Sequence, residues 1–178
     1  LMIRVYAMQF LWRLDLQAQV AQQVEDLLDS GEYSPPEAGA SLTADDLQLL
    51  RSQILLVRAQ QAYFGNQPMR AIDFCQQALA LLPPSWTFGR GGAMLYLGMS
   101  MQASGQAQAA ERLLLAEYES RGEKADIYAL FLLQSLCFIY LYTGQLDQTM
   151  RIAQVLIQAT TRKGMALMGS WGDWFLGV

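Results

Sequence analysis

The sequence predicts an all-α protein, built as a solenoid of antiparallel helix pairs. Apolar residues recur at helical spacing along most of the 178 residues, and no segment sustains the alternation expected of a strand. Glycine and proline clusters divide the chain into helix-length segments. Small residues recur 39 positions apart, at Ala71, Ala110 and Thr149. Together these observations favour stacked helical repeats over a single helical bundle.

The first helical pattern covers residues 2–29, with a break near Leu14 and Asp15. A loop follows over residues 30–40. Its breakers are Gly31, Pro35, Pro36 and Gly39.

The next helix has clear start and stop signals. Thr43 and Asp46 resemble a capping box, with the aspartate carboxylate in place of the usual Glu or Gln. The helix should extend to about Phe64, where Gly65 and Asn66 both tolerate the left-handed conformation.

Pro68 suits the first turn of the following helix, because its missing N–H would have no helical partner there. Pro83 and Pro84 should end that helix. Gly105 and Gly144 each end the first helix of a later pair. The later helices are expected at about 90–104, 107–121, 125–143 and 146–162.

The 39-residue register aligns small residues with small ones and large apolar residues with large ones. The small column is Ala59, Gly98 and Cys137, and the large column is Leu55, Met94 and Leu133. Two helices approach closely only where one presents a small side chain, and large apolar residues then fill the surrounding space.

These columns resemble the tetratricopeptide pattern W-x2-L-G-x2-Y followed by A-x3-F. The second repeat has Met94-x2-Leu97-Gly98-x2-Met101, then Ala110-x3-Leu114. The leading Trp of the family is missing, and the period is 39 residues rather than the usual figure of about 34. The resemblance implies a TPR-like α-α superhelix with longer loops between helices.

A narrower resemblance is to the repeat domain of MalT-type activators, which are ATP-dependent regulators of the LuxR family. It is carried by residues 70–84, 89–98 and 105–115. In that family an NTPase module precedes the repeats and a helix-turn-helix follows them.

The resemblance implies a single repeat domain over residues 1–178. Its parts are a degenerate helix pair and loop (1–44), repeat 1 (45–85), repeat 2 (86–124), repeat 3 (125–163) and the start of a truncated repeat (164–178). Residues 171–177 resemble the beginning of the next helix, with Trp171, Trp174 and Phe175 as large apolar residues. We expect self-association through this open end.

Composition argues against several classes of function. The chain has no His, two Cys and a formal charge of −4 without a basic run. Histidine-dependent catalytic triads, zinc sites and nucleic-acid binding are therefore not expected. The most apolar stretch, 127–142, is too short for a membrane span. We expect a cytoplasmic, non-enzymatic chain that uses no cofactor and no metal and contacts neither nucleic acid nor membrane.

Three local features have a structural explanation that we prefer. Residues 88–92 (Phe-Gly-Arg-Gly-Gly) suggest a phosphate loop, but they lack the Gly-Lys-Ser/Thr ending and read better as a loop that allows close helix packing. Cys75 and Cys137 fall in packing columns rather than in redox motifs. Asp45 and Asp46 lie at a helix start, where carboxylates complement the helix dipole.

The family pattern places the first helix of each pair on the concave face, which suits a peptide or a small polar effector. The residues expected there are Gln60, Tyr63, Met99, Gln102, Gln134, Phe138 and Leu141. Amides would bind polar groups of the ligand and the aromatic rings would supply contact area. An equally weighted alternative makes Met99 and Phe138 core residues of a tight superhelix.

The function implied is that of an effector-sensing or protein-binding repeat domain in a MalT/LuxR-type regulator, which relays binding to modules outside this chain. The alternative is a general TPR scaffold in a signalling protein or adaptor.

Overall fold

The computed structural model describes residues 14–31, 42–121 and 126–177. Within these ranges all regular secondary structure is α-helical, which confirms the predicted class. The described helices are α1 Leu14–Ser30, α2 Ala44–Phe64, α3 Pro68–Leu81, α4 Thr87–Ala103, α5 Ala107–Ser120, α6 Ile127–Tyr142, α7 Leu146–Lys163 and α8 Ala166–Leu176. They form two compact units, which divide between Pro83 and Pro84.

The first unit contains α1, α2 and α3. The capping box of α2 is confirmed: Asp46 N–H donates to Thr43 Oγ1 at 3.1 Å, and Thr43 N–H donates to Asp46 Oδ2 at 2.9 Å. Helices α2 and α3 are antiparallel, since Gln48 near the start of α2 donates to the carbonyl of Leu81 at the end of α3. Helix α1 packs on α2 through Ala21 and Val57.

The second unit contains α4 to α8, in which consecutive helices pack against each other. Helix α6 also packs against α4, and these two helices are parallel. Gly91 of α4 meets Phe131 of α6, and further along both helices Ser135 Oγ donates to the carbonyl of Leu95 at 3.2 Å. In both contacts the residue of α6 follows its partner in α4 by forty positions, so the two helices proceed in the same direction.

Three turns between paired helices have the same geometry and follow the 39-residue register. Each contains a left-handed residue followed by a glutamine, in the pairs Asn66-Gln67, Gly105-Gln106 and Gly144-Gln145. In every turn the glutamine N–H donates to the carbonyl five residues earlier at 2.8 Å. The glutamine carbonyl then accepts the N–H of the fourth residue of the new helix, which is Ala71, Ala110 or Thr149, at 3.0–3.1 Å. This hydrogen-bond pattern satisfies the last carbonyls of the finished helix.

The structure confirms the helix end at Phe64 and corrects the expectation for residues 88–92. Asn66, with φ of 55°, is the left-handed residue of the first turn, whereas Gly65 has an ordinary φ of −79°. Residues 88–92 are not a loop, because α4 already begins at Thr87. A Cβ on Gly91 would overlap the ring of Phe131, so the expected close approach occurs within the helix.

The helical segment expected at residues 2–13 and most of the loop expected at 30–40 lie outside the described residues. In the part of the chain that is described, no helix combines the length and the apolar character needed to cross a membrane.

Candidate binding surface

Three of the predicted ligand contacts lie on one face of α6. Gln134, Phe138 and Leu141 follow each other at helical spacing. Gln134 is 3% exposed, and its Oε1 accepts no hydrogen bond from any described residue. Phe138 is buried and Leu141 is half-buried. This face therefore presents one unpaired buried acceptor beside apolar side chains.

Met99 and Gln102 lie on α4, the parallel neighbour of α6. Met99 is buried and Gln102 is half-buried. Because the two helices are parallel, both residues lie towards the same helix ends as Phe138 and Leu141. Five of the seven residues predicted to contact a ligand therefore lie in the second unit.

Gln60 and Tyr63 belong to the first unit, where α1 occupies part of the predicted surface. Gln17 Nε2 donates to Gln60 Oε1 at 3.1 Å, and both amides are buried. Tyr63 is half-buried and its ring contacts Phe64, with centroids 5.3 Å apart. The amide of Gln60 is engaged by α1, and the ligand role of all seven residues stays a prediction.

Phe138 lies at the centre of an aromatic cluster formed by α6 and α8. Its members are Phe138, Tyr142, Trp171, Trp174 and Phe175, and every ring centroid lies within 6.0 Å of that of Phe138. The sequence marked Trp171, Trp174 and Phe175 as apolar but did not place them against Phe138. Tyr142 was also missed, although it lies four residues after Phe138 and so shares its helix face.

The members of this cluster differ in exposure. Phe175 is buried, and Trp171 also packs against the core of Leu130, Leu133 and Leu156. Trp174 and Tyr142 are each 54% exposed. The cluster therefore joins the core of the second unit to a surface of two accessible rings.

Two tyrosines of α6 bind two carboxylates of α5. Tyr128 donates to Glu117 Oε1 and Tyr140 to Glu111 Oε1, each at 2.8 Å. Burial, followed by the bond to glutamate, raises the pKa of both phenols well above the ordinary range. Both groups stay neutral near pH 7, and their bonds fix the antiparallel register of α5 and α6.

The two cysteines are buried and unpaired. Burial raises the pKa of each thiol to about 12, so neither forms the reactive thiolate near neutral pH. Cys137 Sγ lies 4.0 Å from the carbonyl of Thr149. This placement matches the predicted packing role and offers no reactive nucleophile.

Two surface cavities are lined by residues outside the aromatic cluster. One, of about 470 Å³, has Leu28 and Ile54 among its lining residues, with Glu25, Asp29 and Arg51 as charged groups. The other, of about 420 Å³, is formed by residues at the start of α7. Its lining is Gly144, Gln145, Leu146, Asp147, Gln148 and Arg151.

The described residues bring no three His, Cys, Asp or Glu side chains together as metal ligands. In comparisons with protein-family models, curated proteins and solved structures, the chain has no significant match.

Proposed function

We propose that this chain is the effector-sensing, non-catalytic repeat domain of a cytoplasmic transcriptional regulator resembling the MalT-type members of the LuxR family. The supporting observation is the turn that recurs at Asn66, Gly105 and Gly144 with the same hydrogen bonds. Identical turns in one register are typical of a tandem helical repeat, and tetratricopeptide arrays are built from such helix–turn–helix units.

The face that would bind the effector is formed by α4 and α6 in the second unit. Gln134 Oε1 is a buried acceptor with no hydrogen-bond partner among the residues that the structure describes, and leaving such a group unpaired costs free energy. A peptide N–H or a ligand hydroxyl that reached this oxygen would remove that cost. In this proposal buried Phe138, one helical turn further along α6, and buried Met99 of α4 form the apolar base of the face, while half-buried Gln102 supplies a second amide.

The domain would signal through thermodynamic linkage between ligand binding and the packing of α4 against α6. Helices α4 and α6 meet at Gly91 and Gly98 with no room for a side chain, so their packing is defined by close contact. A ligand that binds one packing arrangement better than another shifts the population towards it. The shift would reach the NTPase and helix-turn-helix modules that the MalT-type resemblance implies outside this chain.

Selection from a random twelve-residue peptide library tests the binding role. Peptides that bind should lose at least about tenfold in affinity when Gln102→Arg places a charge beside the proposed face. Gln154→Arg is the matched control, because Gln154 is an exposed glutamine on α7. Equal losses in both variants, or a library that yields no binder, would argue against this surface.

The parent family is tested by reading the complete coding sequence. An NTPase module upstream and a helix-turn-helix downstream would support the regulator. A kinase or cyclase module in their place would favour the general scaffold.

A further inference from the structure

Two accessible aromatic rings converge on Phe138 at one end of the second unit. Tyr142 and Trp174 are each 54% exposed, and their ring centroids lie 5.9 and 6.0 Å from that of Phe138. The Phe138 and Tyr142 rings are stacked, with 23° between their planes. Aromatic faces carry partial negative charge, so these rings offer an electron-rich surface.

The backbone adds negative charge at the same place. Tyr142 is the last residue of α6, and Trp174 lies in the last turn of α8. Helix C-termini carry partial negative charge, and neither of these two described helices has a basic residue in its last turn. Both helix ends approach the same site, because Phe138 contacts rings from both.

Asp173 strengthens this potential. It is exposed and directly precedes Trp174, in the last turn of α8. An acidic residue at a helix C-terminus is locally unfavourable, whereas a cation would be stabilised there. The net charge of −4 also draws cations towards the molecule.

We propose that the exposed rings of Tyr142 and Trp174, which pack on buried Phe138, form a cation–π site for an arginine side chain of a partner polypeptide. A planar guanidinium can stack on an aromatic face while its N–H groups bond the carboxylate of Asp173. The inference rests on the proposed function, since Phe138 belongs to the proposed binding face, and it names the chemistry of the group bound there.

The test compares three peptides that differ only at the two positions that are arginine in the first. Ac-Gly-Arg-Gly-Arg-NH2 is titrated into the ¹⁵N-labelled protein beside its citrulline and norleucine counterparts. Citrulline keeps the shape of arginine without its charge, and norleucine keeps only apolar surface. The indole N–H resonances report on the four tryptophans, and a Trp174→Phe spectrum assigns the one of interest.

We expect the arginine peptide to shift the Trp174 resonance and to bind about two- to fivefold more tightly than the citrulline peptide. Trp174→Leu, which keeps apolar surface but removes the π face, should abolish this preference. Asp173→Asn should weaken binding and reduce its dependence on salt. Phe88→Ala removes a similarly exposed ring from α4 and should leave the binding of all three peptides unchanged.

Three results would overturn the cation site. Equal binding of all three peptides at Trp174 would make this an ordinary apolar surface, leaving the broader binding role intact. A Trp174 resonance that moves with protein concentration alone would show that a second copy covers the rings. The absence of any shift up to tens of millimolar peptide would exclude the site directly, while the library selection at Gln102 would judge the binding role separately.

Discussion

Gly98 of α4 and Leu114 of α5 are packed so closely that a Cβ atom on Gly98 would stand 2.8 Å from Leu114 Cδ1. The same added atom would approach Ser135 Oγ of α6 even more closely. Gly98 therefore lies where three helices meet, whereas its position in the small column of the repeat predicted a close contact between the two helices of one pair. Ala110, the other small residue expected at the pairing of α4 with α5, is fully buried.

Gly98→Ala should lower the free energy of unfolding by about 1–3 kcal/mol, because Leu114 and Ser135 must shift to admit the methyl group. Gly92→Ala is the matched control in the same helix, since a Cβ there would meet nothing within 4 Å. That variant should gain about 0.5–1 kcal/mol through helix propensity. Urea unfolding of both variants measures the difference, and equal stabilities would contradict the packing at Gly98.

The three repeated turns should respond to substitution through the backbone alone. Gly105→Ala should cost about 1–2 kcal/mol, because its φ of 82° is left-handed although a Cβ would meet no neighbour. Asn66→Gly should gain about 0.5–1 kcal/mol at the corresponding position, where a non-glycine residue has φ of 55°. Thermal melts of both variants provide the measurement. If both substitutions moved the melting temperature in the same direction, the two turns would not share the same backbone requirement.

Ala110→Leu should destabilise the pair of α4 and α5 by about 1–3 kcal/mol, since the site is fully buried and already packed. Ala116, an exposed alanine on the same helix, provides the control, and Ala116→Leu should leave the midpoint nearly unchanged. The denaturant concentrations at the unfolding midpoints of the two variants and the parent measure the difference. If the Ala110 variant unfolds like the parent, α5 does not use this residue to approach its partner.

Alkaline pH should weaken the second unit through Tyr128 and Tyr140. The pKa of each is raised in the folded state, whereas a phenol in the unfolded chain titrates near pH 10. Above about pH 10 the unfolded chain therefore binds fewer protons than the folded one, and the free energy of unfolding falls as pH rises. At lower pH both states hold the phenolic proton, and this contribution is fully present.

Guanidinium unfolding between pH 8 and pH 11 measures that slope. Replacing both tyrosines by phenylalanine should flatten it above pH 10, while the buried thiols, whose pKa is also raised, act alike in parent and variant. A slope unchanged by the double replacement would show that the two phenols titrate normally in the folded protein.

Local signals predicted most of the helices. The capping box at Thr43 and Asp46, the proline at the start of α3 and the glycines after α4 and α6 all act within a few residues, so the sequence displays them directly. The 39-residue register likewise placed Gly98 at a helix contact, because close approach requires a missing side chain. The helical start at Thr87 was missed, since three glycines normally favour a loop. Tertiary packing of Gly91 on Phe131, together with the local contact of Gly89 with the N-cap residue Trp86, overrides that preference.

The binding surface was less predictable, because burial depends on contacts between distant residues. Gln60 carried no sign of its pairing with Gln17, 43 positions away. The family pattern marked Phe138 without revealing that α8 would surround it with three further rings. Helix periodicity assigns a residue to a face, but the elements that cover the face are set by the tertiary fold.

The recurring turn also defines a short sequence signature. Asn66-Gln67, Gly105-Gln106 and Gly144-Gln145 each lead, after three variable positions, to Ala71, Ala110 or Thr149. These last three residues are all buried, so each turn combines a left-handed residue, a glutamine and a buried small residue at the same spacing. Asn66 serves where the other two turns have glycine, because asparagine also tolerates the left-handed conformation. The pattern Gly/Asn-Gln-x3-Ala/Thr is consequently a local marker by which the same pairing of two helices can be sought in other sequences.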